Sequence, residues 1–142
     1  MKNWSKILCI SLIAILSLHV INAEAKPKAQ KVYIFGVSTI FTDSITYITD
    51  IQVINPAYIE TKTGFLYDRS IYSQQLQIWI EHFKKQPNTT CTIFFSKKRN
   101  SLEKKYIKVR DKNLKDKSTY LKVLDAGEFK FTPIEWTEHE NL

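Results

Sequence analysis

The chain has only two cysteines, Cys9 and Cys91, and three glycines in 142 residues. Two thiols close one bridge at most, which excludes a disulfide framework and a cysteine-built zinc cluster. Gly36, Gly64 and Gly127 stand far apart, so the clustered glycines of a phosphate-cradling loop are missing. The three histidines, His19, His82 and His139, are equally dispersed. No H-E-x-x-H, C-x-x-C or EF-hand spacing occurs, so no metal site and no cofactor is expected. Long apolar runs are also scarce. One exists, Ile7 to Ile21, and its 15 residues fall short of the roughly 20 that span a bilayer.

That run follows Lys2 and Lys6 and ends at Ala23-Glu24-Ala25. A positive start, a short apolar core and small residues two apart describe a secretory signal peptide, here residues 1–25. Cleavage would remove Cys9, leaving Cys91 without a partner in its own chain. It would also leave 117 of the 142 residues, enough for one domain with a real core. The expected setting is the periplasm or the outside medium, with no transmembrane span after cleavage.

Residues 26–30 (KPKAQ) read as a disordered lead-in, 31–132 as the domain, and 133–142 as an acidic flexible tail. Lys31 to Phe41 and Ile45 to Ile54 are rich in β-branched and aromatic residues around the polar turn Thr42-Asp43-Ser44. They predict a hairpin, closed by Asn55-Pro56. Gly36 inside the first strand marks a bulge or a close backbone approach. Tyr72, Leu76, Trp79, Ile80 and Phe83 repeat at helical spacing, with Ser70 or Ser73 as cap and Pro87-Asn88 as stop. Thr90 to Ser96 is a short buried strand; Asn88-Thr89-Thr90, which matches a glycosylation sequon, reads as turn chemistry. A second helix should begin at Asn100, with Glu103 completing a capping box and Leu102, Tyr106 and Val109 facing inward. Thr119 to Leu124 and Phe129 to Thr132 complete the strands. The order β-β-α-β-α-β(β) predicts an α+β two-layer sandwich: two helices on one face of a four- or five-stranded, mostly antiparallel sheet.

Charge is the strongest functional signal. Between Lys97 and Lys117 lie ten basic and three acidic residues, a net +7 that equals the formal charge of the whole chain. Lys104, Lys108, Lys112 and Lys115 make a stripe on the second helix; Lys97, Lys98, Arg99 and Lys105 extend it. Such a surface attracts an anionic partner, in an exported protein an envelope protein or an anionic polymer. A nucleic-acid motif or an aromatic stacking platform is absent, so nucleic acid is not the expected partner. The ordinary role of such lysines is a solvated helix face.

Catalytic candidates are thinner. Cys91 shares a strand face with Ile93 and Phe95, the pattern of a small buried hydrophobe, and would need His82 as base to act as a nucleophile. Asp50 in an apolar strand and Asp68 before the first helix are the carboxylates a sugar hydrolase could use. No residues are expected to be catalytic on this reading, and a small envelope hydrolase or thiol enzyme is the alternative to a binding module.

Tyr33-Ile34-Phe35-Gly36, Phe41-Thr42-Asp43-Ser44, Tyr47-Ile48-Thr49-Asp50-Ile51-Gln52, Cys91-Thr92-Ile93-Phe94-Phe95 and Lys104-Lys105-Tyr106 give the chain a resemblance. It resembles small exported proteins of unknown function from Bacteroidetes-type bacteria. The resemblance implies a secreted or envelope context and no catalytic residues.

Overall fold

The structure, a computed structural model, describes residues 25–40 and 44–137. The expected signal peptide up to residue 24, the Thr42-Asp43 part of the first turn and the Glu138-His139-Glu140 part of the tail lie outside them. Along the chain come β1 (Lys28–Ile40), β2 (Ile45–Thr49), β3 (Gln52–Ile59), α1 (Arg69–Phe83), β4 (Thr89–Ser96), α2 (Arg99–Lys115) and β5 (Tyr120–Leu124). They form an α+β sandwich on an open five-stranded sheet. Three of its pairings, β1 with β2, β3 and β4, are antiparallel, and β2 with β5 is parallel.

The 13-residue β1 is the centre. Its residues Val37, Ser38 and Thr39 are matched both to β2 and to β4, and Tyr33 and Ile34 both to β3 and to β4. Hence β4 occupies one edge of β1, while β2 and β3 share the other. The second arm of the expected hairpin is a single path broken in two. At the break, the Gly36 N–H donates to Thr49 Oγ1 (3.0 Å), a side chain standing in for the ladder. The Asp50 N–H instead donates to Leu124 O (2.9 Å), continuing the β2–β5 pairing.

Asn55-Pro56 does not close the strand. β3 runs through it, and the register with β1 shifts between Gln30 and Val32, opposite that dipeptide. A proline has no N–H to give, and at a bulge none is required. Beyond the bulge, Lys28, Ala29 and Gln30 pair with Ile59, Tyr58 and Ala57, so the strand begins three residues before Lys31, inside the segment expected to be loose.

The helices do not share one face. Alternate residues of β1 point to opposite sides, and each side has its own core. Val32 and Ile34 pack with Tyr72, Leu76 and Ile80 of α1, and with Phe129 and Phe131. Phe35 and Val37 pack with Leu102 of α2, flanked by Phe94 and Tyr106. Connectivity explains the arrangement. β3, β4 and β5 all run antiparallel to β1 or parallel to β2, hence parallel to one another. The β3–α1–β4 connection crosses β1 one way, and β4–α2–β5 crosses back. Parallel crossovers take the right hand, and two of one hand running in opposite directions put their helices on opposite faces.

Phe129–Thr132, expected as a strand, is an irregular segment held by two glutamines. Gln52 Nε2 donates to Phe129 O (2.8 Å) and the Phe131 N–H donates to Gln52 Oε1 (2.9 Å). Gln75 Nε2 donates to Thr132 O (3.0 Å) and the Thr132 N–H donates to Gln75 Oε1 (2.9 Å). Side-chain amides thus do for this segment what a neighbouring strand would do. The beginning of the expected loose tail is packed as well: the Ile134 N–H donates to Tyr72 Oη (3.2 Å). Among the described residues no helix is long and apolar enough to cross a membrane.

Candidate functional site

Helix α2 carries seven of the ten basic residues between Lys97 and Lys117. It begins at Arg99, with Lys98 extended before it, and no side chain caps its first turn. The expected Asn100–Glu103 capping box does not form. Glu103 instead accepts from Arg99 Nε at 2.7 Å, one turn away. Leu102 is buried, and Tyr106 lies edge-on to Phe35 (5.2 Å between ring centroids), which stacks on Phe94 at 4.9 Å. These contacts fix the rotation of α2 about its axis and turn the opposite side outward.

Lys97, Lys98, Arg99, Lys104, Lys105, Lys108, Lys112 and Lys115 are all exposed. Among the described residues only Arg99 of these eight has an acidic partner. Asp111 is taken by Arg110, and Asp116 accepts from Ser118 and Thr119 in the turn that ends the helix. Two of the eight lie over rings, Lys105 over Phe94 (5.4 Å) and Arg99 over Tyr33 (6.0 Å). Ile107 and Leu114, seven residues apart, are exposed on the same helix, so its outer surface is basic with an apolar strip.

The thiol and its expected base are not brought together. Cys91 is half-buried on the α1 face, and burial pushes its pKa from 9.0 to about 11. Ser38, its fully buried cross-strand neighbour, offsets part of that rise, although its hydroxyl makes no hydrogen bond of regular geometry. Glu81 adds to the rise. His82 is exposed on α1 with its ring against Phe83, 4.7 Å between centroids. A thiol held neutral, with a carboxylate nearby, is the reverse of an activated nucleophile.

The two carboxylates are also apart in the fold. Asp50 lies at the β2–β3 break, where its charge adds to the burial that raises the Tyr106 pKa on the α2 side. Asp68 precedes α1 in a left-handed conformation and raises the pKa values of Tyr67 and Tyr72, in each case behind burial. A glycoside hydrolase needs both carboxylates flanking one bond; these act on tyrosines of different faces. No cluster of three His, Cys, Asp or Glu side chains suited to a metal ion occurs among the described residues.

One concave feature escaped the sequence reading. A groove of about 330 Å³ runs beside β4, lined by Ile93, Phe94, Phe95 and Ser96, with Arg69 from the start of α1 and Ser101, Leu102 and Lys105 from the start of α2. Its residues come from three elements, and Arg69 lies just before the helix cap expected at Ser70 or Ser73, so no local pattern assembles it. Compared with known protein families, curated proteins and solved structures, the chain matches none.

Proposed function

We propose that the protein is a non-catalytic binding module, exported to the periplasm or the medium, that holds an anionic partner on the outer face of α2. One observation carries this reading: eight exposed cations from Lys97 to Lys115, of which only Arg99 is neutralised among the described residues. Unpaired like charges on one helix repel one another, and an anionic partner relieves that repulsion. Exposed Ile107 and Leu114 add an apolar strip to the same surface.

Chromatography on heparin and phosphocellulose tests the reading. Retention at low salt that collapses as salt rises is expected, because the attraction is screened over about 8–10 Å at physiological ionic strength. Changing Lys104, Lys108, Lys112 and Lys115 together to Gln should abolish retention; unchanged retention would refute the assignment to α2. The export part has its own check. N-terminal sequencing of protein recovered outside the cytoplasm should begin at or near Lys26, and a start at Met1 would overturn it.

A further inference from the structure

We propose that the outer edge of β4 docks an extended acidic peptide segment of a partner protein, which adds to the sheet as a further strand between Arg69 and Lys105. The proposal extends the reading of an anion-binding module to a second surface and shares only Lys105 with the basic residues named there.

The main chain carries the first part of the argument. Among the described residues β4 is paired with β1 alone, so its other edge is open. The Cys91 carbonyl accepts from Ser73 Oγ of α1 at 2.6 Å and therefore points away from β1. In an antiparallel ladder the N–H and C=O of one residue point the same way and alternate along the strand. Ile93 and Phe95 consequently aim their main-chain groups outward too. Among the described residues nothing on that side takes them up, in contrast to Cys91. The groove lies against this open stretch. Outward N–H and C=O groups in a cleft are the template that strand addition uses.

Charge supplies the second part. Arg69 is exposed without an acidic partner among the described residues, and Lys105 is engaged only with the Phe94 ring. No carboxylate lines the groove. Because α1 and α2 lie on opposite faces, Arg69 and Lys105 flank β4 from its two sides. Side chains of an added strand alternate between those sides. Two neighbouring acidic residues in the added peptide would therefore meet one cation each. A sugar polymer can carry anions but has no main-chain amides at strand spacing to match the open ladder. A second copy of this chain is disfavoured, since β4 contains no acidic residue and pairing β4 with itself would set the Arg69 and Lys105 of both copies beside one another.

The probe is the capped hexapeptide TVEDVT, titrated into ¹⁵N-labelled protein, with TVQNVT and backbone N-methylated TVEDVT as controls. TVEDVT should shift the amide signals of Ile93 and Phe95 and slow their hydrogen exchange. Arg69→Gln and Lys105→Gln should each weaken it by about threefold to fivefold, the size of a partly exposed ion pair. TVQNVT should bind about tenfold more weakly, and the N-methylated peptide should not bind. Lys112→Gln should leave TVEDVT unaffected. Shifts confined to the outer face of α2, equal binding of the N-methylated peptide, or no binding would each overturn strand addition. Retention on heparin by Arg69→Gln would show that the reading of α2 survives such a failure.

Discussion

The two faces of the sheet are covered by one helix each, but not to the same depth. Under α1 lie Tyr72, Leu76 and Ile80, all buried, and the same core takes in Phe129 and Phe131 from the end of the chain. Leu102 is the one fully buried residue of α2, with Tyr106 and Val109 only partly covered. Gly36 shows how close the first face is packed: a Cβ there would meet Leu76 Cδ2 at 2.5 Å and Ile93 Cδ1 at 3.1 Å. The lesson is a division of labour. Stability is concentrated beneath α1, while α2 is a shallow cover whose outer side is free to carry unpaired charge.

The widest gap should appear in paired truncations. Leu76→Ala should cost about 3–5 kcal/mol and Leu102→Ala about 2–3 kcal/mol, since the cost grows with the cavity that cannot collapse. Urea denaturation measures both, and a reversed order would break the comparison. Next come the glutamine clamps. Gln52→Ala strands a buried carbonyl and a buried N–H at a cost of about 2–3 kcal/mol, whereas water can replace the exposed bonds of Gln75, so Gln75→Ala should cost about 0.5–1 kcal/mol. Gly36→Ala should destabilise by about 1–3 kcal/mol through overpacking; a neutral result would mean that α1 moves away easily.

On the α2 side, the fourfold Lys104, Lys108, Lys112 and Lys115 to Gln change should leave stability within about 0.5 kcal/mol while removing heparin retention. The smallest effect concerns Cys91. Iodoacetamide should modify it slowly at neutral pH, with a rate that climbs toward about pH 11 instead of 9. The sign of the linked stability follows. Between pH 9 and 11 the unfolded chain has released the thiol proton and the folded chain still holds it, so stability falls as pH rises through that window. Cys91→Ala should flatten this part of the alkaline slope in pH-dependent denaturation.

Element types were legible in the residues because the patterns are local: the helical spacing of Tyr72, Leu76 and Ile80, and the β-branched and aromatic run Ile45–Thr49. The placement of the helices was not, although a clue was present. Val32 to Val37 (VYIFGV) is apolar without alternation, and a strand that is apolar on both sides needs cover on both. The strand expected at Phe129–Thr132 failed for a different reason. Its backbone partners are the side chains of Gln52 and Gln75, more than fifty residues away in sequence, and no local pattern reports that. The basic run was visible because it is contiguous. The groove was not, because Arg69 joins Phe94 and Lys105 only in three dimensions.

The position of β1 also sets an order of events. The strand at the centre of the sheet is the first one made, and its two flanks arrive separately: β2 and β3 within twenty residues, β4 only after residue 89. The nearby hairpin closes a short loop and can form early, whereas joining β4 to β1 closes a long one, and such distant pairings slow folding. Until then the second edge of β1, lined by Phe35 and Val37, is an unsatisfied ladder. A chain halted before β4 would therefore be sticky at its most apolar strand, and the helix α1 that precedes β4 has to dock for that period to end.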